Sequence, residues 1–279
     1  MSVYTRKGWL SWKKIAGACF LLILGMVYIF PFLWMLSTSF KPANETLQFP
    51  PSLIPSEFTL SNYVYVFQSG PFVRFFLNSV IVTLSIVVIQ LLVAIPAAYA
   101  FAKKKFKGSN LIYGVILSGL LIPVQVVILP IYLLFSKLGW INSYAALIVP
   151  FITSAFGIFL LTQTFKQVPE EILEAAKLDQ ASEFKVIRKI MLPMIKPTLI
   201  TLILFTFISH WNDLFWPMVM TNSDTYRTLT VGMMRLRDME SQQWSILMAG
   251  NILLIAPVLV IYLFASSKIK TAFVYGGIK

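Results

Sequence analysis

Six long stretches of the chain carry almost no charge, and they limit its fold more than any other feature. They cover residues 15–36, 75–102, 109–136, 138–165, 197–222 and 241–267. The fifth holds Asp213 and the single histidine, His210; the others hold no Asp, Glu, Lys, Arg or His. A helix needs about 20 apolar residues to cross a bilayer, because each residue rises ~1.5 Å through a hydrocarbon core of ~30 Å. Every stretch is long enough. The alternating strands of about ten residues that mark a membrane barrel do not occur. The expectation is therefore an all-α integral membrane protein of six transmembrane helices, with a short segment 1–14 followed by one transmembrane domain over 15–279. Composition narrows the alternatives. Hydrophobic residues make up 58% of the 279 and charged residues 12%, against about 25% charged in soluble domains. That apolar content excludes disorder. One cysteine, Cys19, excludes a disulfide scaffold, and one Cys with one His excludes a structural zinc site.

The first stretch follows Lys13 and Lys14, as a secretory signal would, but it exceeds the about 7–15 apolar residues of a signal core. It is read as a retained helix. Six spans place both termini on one side, and the cations choose which. Arg6, Lys7, Lys13, Lys14, Lys103, Lys104, Lys105, Lys107, Lys166, Lys177, Lys185, Arg188, Lys189, Lys196, Lys268, Lys270 and Lys279 fall on one side, 17 of the 23 basic residues. Lys41, Arg74, Lys137, Arg227, Arg235 and Arg237 fall on the other. Both termini are expected in the cytoplasm. The basic run Lys103–Lys107 is read as an orientation signal and not as a nucleic-acid or lipid-specific site, so the net charge of +12 says little about substrate. Nearly every span carries proline (Pro31, Pro96, Pro123, Pro130, Pro150, Pro217, Pro257), which bends helices. In lipid such bends persist where neighbours or a cavity satisfy the freed backbone groups. Residues 41–70, with Pro42, Pro50, Pro51 and Pro55, are expected to form an ordered loop over the outer face.

The longest cytoplasmic connection, 166–196, holds five of the eleven acidic residues. Pro169 suits a helix start, and Glu170 and Glu171 suit the positive end of the helix dipole. The spacing predicts a helix to about Gln180 with Ile172, Ala175, Ala176 and Asp179 on one face. Ser182 can cap a second short helix presenting Val186, Ile187, Ile190 and Met191, which Pro193 then disrupts. Two alanines between acidic residues let another surface approach closely. Two readings fit: a partner-docking knuckle, or a helix-turn-helix lying on the membrane. Membrane-surface helices favour large apolar and basic groups, which suits the second helix and not the first.

Glu174-Ala175-Ala176, followed by Asp179, Ala181 and Ser182 and then Ile190, Leu192 and Pro193, resembles the EAA loop of permease subunits of ATP-binding-cassette importers. The six-span layout extends the resemblance over nearly the whole chain. Trp211-Asn212-Asp213, the Arg227–Gly232 run and the 276–279 tail resemble the carbohydrate branch, in particular the second permease of maltose-type systems. One position departs from the pattern: Gln180 stands where the family usually has glycine. Glycine enters a left-handed turn freely, whereas another residue pays about 1–2 kcal/mol, so the turn is expected to be more helical or Gln180 strained. The resemblance implies a MetI-like fold and half of a translocation pathway in the inner membrane of a bacterial or archaeal cell. It also implies a homologous second permease, two ATPase subunits, an extracytoplasmic solute-binding protein and a sugar or oligosaccharide substrate. Glu171, Glu174, Ala175, Ala176, Asp179 and Gln180 become candidate ATPase-coupling residues. This chain is not expected to be an enzyme or to bind a cofactor; ATP and Mg are used by the partner ATPase. The sequence agrees on that point, since no glycine-rich phosphate loop ending in Lys-Ser or Lys-Thr occurs.

An ionisable group inside a membrane is costly and usually faces a cavity or a partner. His210, Trp211, Asn212 and Asp213 interrupt the fifth run, with Asp213 about 24 Å along a helix starting at Pro197 at ~1.5 Å per residue. They either line the substrate pathway, make helix–helix contacts, or mark a periplasmic end of the span at Trp211 with interfacial anchoring. Gln125 and Asn251, and also Gln90, are further pathway candidates. Arg227, Arg235 and Arg237, beside Asp224, Asp238 and Glu240, either dock the binding protein or form a solvated outer loop. An ion-coupled secondary transporter is the rival reading; Asp213 would be its ion site, but the acidic loop would have no purpose. An importer of glycerol phosphate is a second alternative. An intramembrane enzyme needs a cluster of acid, base or metal ligands that the chain lacks.

Overall fold

Long apolar segments without internal turn signals form long helices, and proline and small polar residues set where they break. The computed structural model describes residues 12–240 and 243–276. Arg6, Lys7, Lys279, the 277–279 end of the tail and the start of the sixth run at 241–242 lie outside the described residues. In chain order the helices are α1 (Trp12–Ser39), α2 (Ser61–Gln68), α3 (Phe72–Lys103), α4 (Ser109–Ser118), α5 (Val124–Lys137), α6 (Tyr144–Ile148), α7 (Ala155–Lys166), α8 (Glu170–Leu178), α9 (Glu183–Val186), α10 (Leu192–Met194), α11 (Lys196–Trp211), α12 (Phe215–Met220), α13 (Leu229–Met239) and α14 (Trp244–Gly276). No strand occurs among the described residues. Among the described residues, four helical segments are long and apolar enough to cross a membrane: Lys14–Ser39, Phe72–Lys103, Tyr144–Lys166 and Trp244–Phe264. Two bent pairs, Ser109–Leu121 with Val124–Lys137 and Glu183–Met194 with Lys196–Trp211, raise the number to six if each is one span.

The bends sit where the backbone chemistry puts them. The third run turns by 100° at Ile122, which is extended (φ −91°, ψ 113°) ahead of Pro123; the proline ring bars the residue before it from the helical region. The pair leading into α11 turns by 84°. There the disruption falls later than Pro193: residues 187–191 widen into a π-helical turn, α10 carries Pro193 in its first turn, and the axis breaks at Ile195, just before Pro197. The fifth run is not one helix through 222. It stops at Trp211, Asn212 closes it, and the chain restarts in α12. Asp213 therefore lies between two helices and not 24 Å along one.

The chain divides into two compact units. One comprises residues 1–68 and 236–253. In it α1 buries none of its apolar window, which suits a helix whose solvent is lipid. The chain after α1 is tightly held. Asn62 Nδ2 donates to Ser39 O at 2.9 Å and Lys41 O at 2.8 Å, Thr59 N donates to Phe40 O at 2.9 Å, and Phe40 stacks on Phe58 at 4.3 Å. Glu45 accepts from Ser52 Oγ, Ser56 N and Ser56 Oγ. The expected ordered loop is thus built from side chains that satisfy backbone groups a tight loop leaves free.

The other unit comprises residues 69–235 and 254–279. Here α3 packs on α7 and α11. Ala94 and Ala98, one turn apart on α3, let α7 approach, and Ile158, Leu161 and Phe165 fill the contact. That core continues through Val168, Ala176, Val186, Met191 and Ile195, so the connection 166–196 and the membrane helices share one buried cluster. A second cluster joins Val82 and Ile86 to Phe135, Leu147, Trp216 and Met220. Gln90 spans the break after α6: its Nε2 donates to Phe151 O at 2.8 Å and its Oε1 accepts from Thr206 Oγ1 at 3.3 Å. A polar side chain thus satisfies a carbonyl freed beside Pro150, as apolar surroundings require.

Candidate coupling loop and translocation residues

The loop starts where the sequence puts it. Pro169 precedes α8, and Glu170 and Glu171 occupy its first turn. The helix ends at Leu178, two residues before the expected limit. Gln180 adopts φ 51°, so the turn is left-handed and Gln180 takes the conformation that favours glycine. Its geometry closes the helix fully: Ala181 N donates to Ala176 O at 3.0 Å and Gln180 N to Lys177 O at 3.0 Å. That is the paired bonding of a Schellman cap, with the left-handed position held by glutamine. Gln180→Gly is expected to raise stability by about 1 kcal/mol with coupling unchanged, read as thermal unfolding of the purified complex. Ser182 Oγ then accepts from Lys185 N at 3.4 Å and caps α9.

The two alanines of the motif do different things. Ala176 is buried in the core cluster beside Val186, Met191 and Ile195, whereas Ala175 is exposed. Bulk at 176 would unseat α8, whereas bulk at 175 would not enter the core. Glu171, Glu174, Asp179 and Gln180 are exposed around it, and Ile172 is half-buried. Two large apolar side chains complete the outer surface: Leu178, 86% exposed, and Phe184, 71% exposed. Sequence reading missed both. The available signal was their position off the inward face, where a surface helix ordinarily carries polar residues.

A further feature could not be read from spacing. Glu183 accepts a hydrogen bond from Tyr99 Oη at 2.7 Å and forms an ion pair with Lys104. Lys103 Nζ donates to Val168 O at 2.6 Å. Two lysines read only as orientation signals therefore also tie the loop to the end of α3. The hydrogen bonds from Lys104 and Tyr99 hold the Glu183 carboxyl below its ordinary value. A depressed carboxylate contributes stability above its unfolded pKa and loses it as pH falls, so this latch is complete at neutral pH and weakens progressively as pH falls below about 4. The pair is exposed and correspondingly weak. Glu183→Ala is expected to loosen the loop by about 1 kcal/mol, raising hydrogen exchange over 170–186 about fivefold at neutral pH.

The polar residues of the fifth run do not converge. Trp211 is buried, stacks on Phe207 at 5.5 Å, and its Nε1 donates to Leu254 O at 2.8 Å. Asn212 Nδ2 donates back to Ile208 O at 3.0 Å. Asp213 Oδ1 accepts from Trp216 N at 3.2 Å, and its backbone carbonyl accepts from Thr230 Oγ1 at 2.7 Å. His210 lies against Phe151 at 4.7 Å. Gln125 is exposed, and Asn251 Nδ2 donates to Leu247 O at 2.9 Å. Of Arg227, Arg235 and Arg237, the first two converge on Asp224, at 2.5 Å and 2.9 Å. No group of three or more His, Cys, Asp or Glu side chains that could hold a metal occurs among the described residues.

Residues 90–269 match the family of binding-protein-dependent transport system inner membrane components. The chain belongs to this family. It is a multi-pass inner-membrane permease, and its relatives are transport permeases. It is 32% identical to an arabinooligosaccharides transport system permease protein of Halalkalibacterium halodurans over 97% of both chains. It is 31% identical to the sn-glycerol-3-phosphate transport system permease protein of Agrobacterium fabrum, over 90% of this chain and 93% of that one. In fold it resembles a chain of a bacterial ABC transporter involved in the import of the acidic polysaccharide alginate. That match has a TM-score of 0.81 and 23% identity, and it covers 96% of this chain and 99% of that one. The matched family segment contains the whole of the loop 166–196, so the residues that carry the EAA resemblance lie within the part of the chain that defines the family.

Proposed function

We propose that this permease forms half of the pathway of an ATP-driven importer for a sugar or oligosaccharide, and that loop 166–196 couples it to a separate ATPase. One observation carries the reading. The loop is fastened to the membrane helices by its buried side, through Ala176, Val186 and Met191, and leaves Glu174, Ala175, Leu178 and Phe184 uncovered. A surface rigid on one side and apolar and acidic on the other suits transmission of force from a docked protein. A ligand biases two states only through different interactions with each; ATP held by the partner would shift inward-open against outward-open by moving this knuckle. Both termini and the loop lie in the cytoplasm, as the excess of lysine and arginine supports. The arabinooligosaccharide relative supports a sugar. The partners are a homologous second permease, two ATPase subunits that use ATP and Mg, and an extracytoplasmic binding protein. Lipid surrounds the helices, and no nucleic acid is involved.

Glycerol phosphate is the second reading, supported by the sn-glycerol-3-phosphate relative. Uptake into cells carrying the whole importer tests both. Labelled arabinotriose or maltotriose is expected to accumulate, and accumulation is expected to stop when ATP is depleted with the ion gradient intact. Sustained uptake under depletion would establish the ion-coupled alternative, and uptake of glycerol phosphate alone would replace the sugar.

A further inference from the structure

The unit formed by residues 1–68 and 236–253 holds a cavity of about 230 Å³ that the import reading does not use. Its wall includes Trp34, Thr38, Lys41, Glu45, Trp244 and Met248. The chemistry is unusual for the end of a membrane helix. Lys41 is 2% exposed and Glu45 5%, which ionisable groups tolerate only when partnered. Glu45 is fully engaged by Ser52 and Ser56. Lys41 has three donor hydrogens; Nζ donates to Ser52 O and lies 5.0 Å from the Trp34 ring. Thr38 Oγ1 is buried with no hydrogen-bond partner. An orphaned buried hydroxyl beside a cavity costs free energy unless something in the cavity satisfies it.

We propose that this cavity is a subsite for one neutral, hydroxyl-rich sugar ring. The size fits one ring: pockets for drug-sized ligands run to about 300–1,000 Å³, and this cavity lies below that range. One cation and one carboxylate in the wall balance, which favours a neutral ligand over a phosphate. Two indoles offer flat apolar surface for the C–H face of a sugar, and Thr38 with the remaining hydrogens of Lys41 offers groups that bond hydroxyls. A free monosaccharide and the terminal residue of an oligosaccharide present the same ring. The inference rests on the sugar-import reading for its choice of ligand class.

The test uses the complete importer in phospholipid nanodiscs, with L-arabinose, D-glucose, arabinotriose and maltotriose as probes and tryptophan fluorescence as the readout. At least one probe is expected to give a saturable change whose midpoint weakens about threefold to tenfold in Thr38→Val, the loss of one hydrogen bond. The change is expected to vanish in Trp244→Leu. Thr38→Val keeps the shape of the site, so a purely structural threonine would leave the midpoint unmoved. A response to the monosaccharides marks a site for free sugar, and a response to the trisaccharides alone marks a site for a chain end; both support the subsite. A saturable response that depends on Thr38 and Trp244 supports it whether or not the importer takes up that sugar. Absence of such a response overturns it even in an importer that transports the sugar. Retention of a phospholipid that Lys41→Met releases, with no sugar response, also overturns it and assigns the cavity to a headgroup.

Discussion

The double variant Glu174→Lys with Leu178→Asp is expected to lower ATP-driven uptake at least about thirtyfold while the chain inserts and folds normally. Both side chains are exposed, Leu178 by 86%, so neither substitution opens a cavity or strands a polar group in the core. Under the proposed coupling both face the ATPase. An anchor at the centre of a protein–protein contact contributes about 2 kcal/mol or more, which is roughly thirtyfold in affinity. Reversing one charge and placing another on an apolar contact acts through binding of the ATPase. Co-purification of the ATPase with the permease should fall in parallel with uptake, and thermal unfolding of the permease should not change. Retained uptake would mean that the partner docks elsewhere. Ala176 is the instructive contrast. Because it faces the core, Ala176→Trp should destabilise the loop itself, whereas Ala175→Trp should block docking and leave the loop intact.

Gly232→Ala, a single added methyl group, is expected to destabilise the permease strongly. A Cβ at Gly232 would lie 2.3 Å from Phe75 Cδ2 and 2.8 Å from Cε2. Phe75 is 1% exposed and packs edge-on against Phe72 at 5.5 Å, so its ring cannot swing aside. Overpacking of this kind costs about 1–3 kcal/mol. In a unit of this size that lowers the midpoint of thermal unfolding by several degrees. The same glycine ends the Arg227–Gly232 run that resembles the carbohydrate branch, which gives that run a structural reason: α13 and α3 cross where only glycine fits. Phe75→Leu in the Gly232→Ala background should restore most of the loss, although Phe75→Leu alone is destabilising. Additive losses in the double variant would contradict the direct contact.

Much of this was legible in the sequence, for identifiable reasons. Runs of uncharged residues locate membrane helices because nothing else tolerates them, and each of the six runs overlaps one of the long helices or bent pairs. The start of α8 at Pro169 and the cap at Ser182 could be read because capping is local chemistry. The fifth run could be read only in part: an end at Trp211 is among the alternatives the sequence leaves open, and the restart after it is not. His210, Asn212 and Asp213 interrupt it without a glycine or proline, and only the structure shows that Asp213 accepts from Trp216 N and begins a second helix. The roles of Ala175 and Ala176 were equally hidden. They are neighbours at 100° around a helix, and which one faces inward depends on α3, α7 and the residues after α9, all distant in sequence. The same holds for Glu183: its partners Tyr99 and Lys104 lie about eighty positions earlier, and no local pattern announces the pairing. Gln180 shows a different limit. Residue preference argued against a left-handed turn there, but the two cap hydrogen bonds and the burial of Ala176 hold it.

The central claim is that a partner's ATPase works on this chain through residues 170–184. The most direct measurement replaces Cys19 with serine, places a single cysteine at Leu178, and treats membranes carrying the whole importer with a short bifunctional cross-linker. The account predicts a product joining this permease to the ATPase, formed from the cytoplasmic side and altered in yield when ATP is bound. Modification of that cysteine from the outer side, or ATP-driven uptake with no cross-link to the ATPase, would contradict it.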